Sequence, residues 1–191
     1  MEAENKFAKE YEAIWEHCDT KSDIEWIVLK AHLVSESYMD RFFNTFFMSG
    51  KKLLDSGNLS YRQKLVLSKA IGFFPDDMLD CLSKLNLLRN KLAHDLEYQI
   101  SIEDVDLIGH SLGRYYSKLK RERTGGIKDL LIGVLGFVVG GMAYGLVDYE
   151  CKIDRGKKTQ NENQNMSLPL KAGNLRVRRD KRPTKRQRNT V

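Results

Sequence analysis

Within the stretch LRNKLAHDLEY, residues 88–98, three residues carry side chains able to act on a phosphodiester: Arg89, Asn90 and His94. Asn90 and His94 are four apart and share one face of a helix. Arg89 points partly away, yet its long side chain reaches a group held beside the imidazole. A guanidinium grips phosphate through two hydrogen bonds. An imidazole moves protons near neutral pH, and an amide orients either group. These are the parts of metal-free RNA cleavage: the 2′-OH attacks the adjacent phosphorus, histidine moves a proton, and arginine offsets the developing charge. One set is small, and a symmetric dimer brings two sets to one cleft. The same residue types near a helix C-terminus also have a purely structural use, satisfying the last carbonyls and the helix dipole.

The elements that must hold this set read as helices. Ser22-Asp-Ile-Glu25 has the pattern of a capping box. It opens a run with Ile24, Ile27, Val28, Ala31, Val34, Tyr38, Phe42 and Phe46 at a helical period. Ser60…Gln63 and Ser101…Asp104 repeat the start signal. Pro75-Asp-Asp begins a helix with Leu79, Leu82, Leu85, Leu88 and Leu92 along one side. An earlier helix is expected over residues 3–16. No alternating strand pattern competes, so residues 1–122 are predicted to form an antiparallel bundle of four or five helices, an all-α domain.

Residues 130–147 follow, LLIGVLGFVVGGMAYGLV, without a charge. As a helix they span roughly 27 Å, close to the ~30 Å hydrocarbon core of a bilayer. Gly136/Gly140 and Gly141/Gly145 are each four apart, a spacing that lets membrane helices pack closely. Residues 123–150 are therefore expected to be a glycine-rich, membrane-embedded helix, the alternatives being a buried soluble helix or a glycine-bent hairpin. Six Lys/Arg in 108–129 against four in 148–168 lean towards a cytoplasmic helical domain, and the basic tail pulls the other way.

Charge is unevenly spread. Residues 151–191 carry 13 Lys+Arg and 3 Asp+Glu, whereas residues 1–150 are net −4. The tail is expected to be disordered, lacking the apolar residues that offset the entropy of ordering. Arg176, Arg178, Arg179, Lys181, Arg182, Lys185, Arg186 and Arg188 are candidate contacts to nucleic acid or anionic lipid, and no aromatics among them support base stacking. Cys18, Cys81 and Cys151 are far apart, without a CxxC, so neither a disulfide framework nor a cysteine zinc site is indicated. Cys151 is a candidate for palmitoylation. No cofactor or metal is expected. The start, MEAENKFAKE, has no signal-peptide h-region. His17, His32 and His110 have no ligand spacing and read as ordinary surface or bundle histidines. Phe42, Phe43, Phe46 and Phe47 read as core or dimer interface, and Gly125-Gly126 as a hinge.

The motif Arg89-Asn90-Lys91-Leu92-Ala93-His94 resembles the RNxxAH signature of the HEPN superfamily, and residues 62–108 resemble its mannitol-operon repressor-like branch. The resemblance covers roughly residues 22–120. It implies an all-helical, HEPN-like bundle, a homodimer with both motifs at the interface, Arg89 and His94 as catalytic residues and Asn90 as their support. Glu36 is expected to face the motif helix. Many members are metal-independent endoribonucleases in toxin–antitoxin and defence systems, implying RNA as substrate and an antitoxin or regulatory protein as partner. The repressor-like branch implies instead a non-catalytic regulatory module. Toxins paired with nucleotidyltransferase antitoxins carry a tyrosine two after the histidine; here Leu96 stands there and the nearest tyrosine is Tyr98.

Overall fold

A computed structural model describes residues 5–9, 12 and 23–166, with side chains to residue 157. The described residues are helical, with no strand among them. Helix α1 spans Ile24–Phe46, α2 Gly50–Gly57, α3 Tyr61–Ile71 and α4 Asp76–His94. Then come α5 Ile102–Gly109, a 3-10 turn His110–Leu112, α6 Arg114–Glu122 and α7 Ile127–Met166. Residues 5–9 are helical too, within the expected first helix. The count exceeds four or five because two expected helices are interrupted. Ser49-Gly50 turns the chain sharply after α1, and a Cβ on Gly50 would strike the Phe43 carbonyl. Gly113, at φ 55°, separates the 3-10 turn from α6.

Two start signals are fully realised. Ser60 and Gln63 cap α3 reciprocally, and Ser101 and Asp104 do the same for α5. Helix α1 differs from expectation: Asp23 is its N-cap, without a side-chain cap bond, and Ser22 lies outside the described residues. Pro75 precedes α4, with Asp76 and Asp77 in its first turn, where carboxylates favour the positive end of the helix dipole.

The core joins α1, α4 and α7. Ile27, Val28, Met39, Phe42 and Phe43 of α1 and Leu79, Leu82, Leu85 and Leu88 of α4 are buried. Phe42 and Phe43 are thus core, whereas Phe46 is exposed and Phe47 half-buried. In α7 the buried residues fall in pairs four apart: Leu130/Leu131, Val134/Leu135, Val138/Val139, Met142/Ala143 and Leu146/Val147. This is one stripe along the helix. The stretch Ile127–Lys157 is long and apolar enough to cross a membrane, and 67% of its most apolar window is buried inside the protein. Two of its glycines serve close packing within the protein. A Cβ on Gly133 would lie 2.9 Å from Leu119 of α6, and one on Gly141 would press on Met78 of α4. Beyond the stripe, Arg41 of α1 grips Glu150 of α7 by two bonds, 2.6 Å from Nε and 2.5 Å from Nη2, and Lys6 adds a third at 2.8 Å.

The first compact unit runs from Met1 to Arg155 and includes the apolar stretch; the second is Gly156–Val191. Helix α7 continues to Met166, so the first sixteen residues of the tail expected to be disordered are helical. The eight basic contact candidates, Arg176 to Arg188, lie outside the described residues, as do His17 and Cys18.

Candidate functional site

The site begins with the antiparallel packing of α1 on α4. Phe42, late in α1, meets Phe74 just before α4, at 5.4 Å between ring centroids. Further along α4, Asn86 meets the earlier residue His32, with Asn86 Oδ1 3.0 Å from His32 Nε2. The amide oxygen accepts, so Nε2 carries a proton in this pairing. Helical spacing then sets Arg89 and Asn90 three and four residues beyond Asn86, on the same side of α4.

Arg89 and Asn90 are half-buried, and Arg89 Nη1 donates to Asn90 Oδ1 at 3.3 Å. His94 is the last residue of α4 and is exposed. Among the described residues its ring has no hydrogen-bond or ion-pair partner. The backbone after it is held: Asp95 N–H donates to Lys91 O at 2.9 Å. The loop that follows is latched at Asp104, which accepts from Tyr98 at 2.6 Å, from Lys91 at 3.2 Å and from Ser101 N–H at 3.0 Å. Desolvation alone would raise the Asp104 pKa, and these bonds outweigh it and lower it. The latch fixes where α4 ends, and hence where His94 stands.

Beneath Arg89 and Asn90 lies a buried polar layer. His32 is 6% exposed and stacks on Tyr61 at 3.9 Å between ring centroids. Ser35 Oγ donates to the His32 carbonyl at 2.8 Å, leaving the Tyr61 hydroxyl to donate to Ser35 Oγ at 2.7 Å. Desolvation lowers the His32 pKa against the raising effect of the Asn86 bond, and the positive charge of Arg89 adds to the lowering. Burial likewise pushes the Tyr61 phenol up.

Glu36 does not contact α4 through its ion pair. Its carboxylate receives Lys64 of α3 at 2.8 Å, and Lys64 also lies 2.8 Å from Asp40. Desolvation would lower the Lys64 pKa, but the two carboxylates outweigh it and raise it. The residue of α1 that meets the motif helix is His32, one turn earlier. Sequence reasoning took it for an ordinary bundle histidine. The available signal was two polar residues, His32 and Ser35, inside the buried face between Val28, Ala31 and Met39.

The remaining candidates scatter. His110 packs edge-on to Tyr116 at 5.6 Å. Cys81 is buried, and desolvation pushes its thiol up to about 12. Among the described residues no three His, Cys, Asp or Glu side chains group closely enough to hold a metal ion.

No family model, no curated protein and no solved structure matches the chain.

Proposed function

We propose that the chain is a HEPN-type, metal-independent endoribonuclease, working as a homodimer in a toxin or defence role. The observation that carries this reading is the pairing of a restrained, half-buried Arg89–Asn90 with an exposed His94 one turn on, at a helix end latched by Asp104. A guanidinium with four N–H groups left can hold a phosphate. The imidazole has solvent access and, among the described residues, no competing partner. In the proposed step, His94 takes the proton of the ribose 2′-OH as the 2′-oxygen–phosphorus bond forms. The phosphorus–O5′ bond breaks, and the leaving oxygen receives a proton from His94 of the second copy. The products are a 2′,3′-cyclic phosphate and a 5′-hydroxyl.

Surface chemistry supports the dimer. Leu33 and Leu87 each follow one member of the His32–Asn86 pair. On antiparallel helices both therefore turn to the same side. They are 63% and 55% exposed, and Trp26, seven before Leu33, is exposed on the same face of α1. His94, seven after Leu87, shares its face of α4. Exposed apolar side chains around a polar motif suit a second copy.

The test is cleavage of single-stranded RNA in EDTA by the full chain. Wild type is expected to leave cyclic phosphate ends. His94→Ala and Arg89→Ala are each expected to lower the rate about 10²–10⁴-fold with helical content unchanged. Cleavage that survives both changes removes these residues from the mechanism, and no cleavage by wild type returns the fold to a regulatory, non-catalytic role.

Membrane residence with the helical domain on the cytoplasmic side completes the proposal. The length and apolarity of α7 support the residence, and the six Lys/Arg in 108–129 against four in 148–168 support the orientation. Spanning would require that helix to leave the core it fills. Retention in the membrane fraction after an alkaline wash would assign the membrane to α7, whereas release by the wash leaves α7 in the core.

A further inference from the structure

The corner between α1 and α3 presents an apolar surface that neither the motif nor α7 uses. Met48, at the turn into α2, is fully exposed, Val66 of α3 is 64% exposed, and Phe46 also faces solvent. Between them lie two hollows of about 500 and 440 Å³ that share Leu53 and Leu67. The lining is almost wholly apolar; the exception with charge is Arg62, at the edge of the second hollow. Lys51 and Lys52 follow the turn and are exposed. Among the described residues, Lys51, Lys52 and Arg62 form no ion pair. Asp55 is the acidic group on α2.

We propose that this corner is a peripheral docking surface for an anionic bilayer. Met48, Phe46 and Val66 enter the headgroup–acyl boundary, while Lys51, Lys52 and Arg62 meet lipid phosphates. Charge complementarity selects the partner. Arg62 edges the apolar patch, Lys51 and Lys52 follow Met48 closely in the chain, and Asp55 is the acidic group on α2. A bilayer with acidic lipids offers apolar depth and negative charge together. Arg62 suits the boundary, its stem along the hollow and its head free to reach outward. The contact needs no movement of α7. It gives the membrane placement proposed above a different surface, in place of a span by α7, and is independent of RNA cleavage.

The experiment is flotation of the full chain with vesicles of phosphatidylcholine alone or of phosphatidylcholine and phosphatidylglycerol at 3:1. The expected result is binding to the acidic vesicles, weakened by salt and released by an alkaline wash. The double variant Met48→Asp/Val66→Asp changes two exposed positions and is expected to bind at least about tenfold more weakly, with an unchanged circular dichroism spectrum. A Met48→Trp variant is expected to shift its emission to the blue on adding acidic vesicles by more than wild type, whose Trp15 and Trp26 set the baseline. Equal binding by the double variant and wild type, or a shift no larger than that of wild type, overturns the proposal and leaves binding to the tail. Wash-resistant binding indifferent to Met48 and Val66 assigns the membrane to α7 and also overturns it. Absence of vesicle binding, with self-association lost in the double variant, gives the face to a second copy instead.

Discussion

His32 carries the most specific consequence at the level of single residues. Its ring is held neutral by burial between Tyr61 and Asn86. A histidine whose pKa is lowered by folding binds fewer protons in the native state than in the unfolded chain. Its contribution is whole above the unfolded value of about 6.5 and is lost as pH falls through the lower folded value. Thermal stability of wild type is thus expected to decline between pH 7 and pH 5 more steeply than that of His32→Gln. A His94→Ala control keeps the steep decline. Equal slopes in wild type and His32→Gln would remove this role. That Arg89, Asn90 and His94 stand together near the end of one helix was legible from spacing. His32 was not, because its use depends on Asn86 arriving from a helix fifty-four positions away, and no local pattern encodes that meeting.

Helix starts were the most legible elements where a side chain closes on its own backbone. Ser60/Gln63 and Ser101/Asp104 are such closures, and each needs only four residues to be recognised. Ser101→Ala is expected to cost about 1 kcal/mol, lowering the melting midpoint by about 2–4 °C. Asp104→Ala should cost more, since Tyr98 and Lys91 lose their acceptor as well; thermal melts of both variants check this ordering. The far end of α7 was less legible. Residues 151–166 are polar, yet most are adequate helix formers, and a helix already running extends them without a new nucleus. Apolar composition identified residues 130–147 as a long helix. It could not say what the helix lies against, because lipid and a protein core both select the same side chains. The burial of neighbouring pairs every fourth residue, such as Leu130/Leu131 and Val134/Leu135, is the tertiary fact that composition lacks.

For the whole molecule, the ties between α1 and α7 decide how the ends of the first unit hold together. Desolvation would raise the Glu150 pKa, but bonds from Arg41 and then Lys6 outweigh it and lower it. A carboxylate lowered by folding stabilises above its unfolded value near 4.3 and loses that contribution as pH falls through the folded value. Arg41→Ala is expected to cost about 1.5–3 kcal/mol at neutral pH, measured by urea unfolding, and less in acid, where Glu150 is protonated. Leu131→Ala, at the centre of the α7 stripe, should cost about 2–5 kcal/mol. An unchanged midpoint for Leu131→Ala would mean that α7 does not complete the core.

The place of α7 in the core also sets a schedule for synthesis. Ribosomes deliver the chain from its first residue, so Phe42, Leu82 and Leu85 emerge long before Leu131 and Val138, which lie in the same cluster. Until those arrive, the early helices hold an open apolar trough. Nascent chains halted ahead of residue 130 should therefore recruit chaperones or precipitate, whereas release of the finished polypeptide closes the trough in one late step.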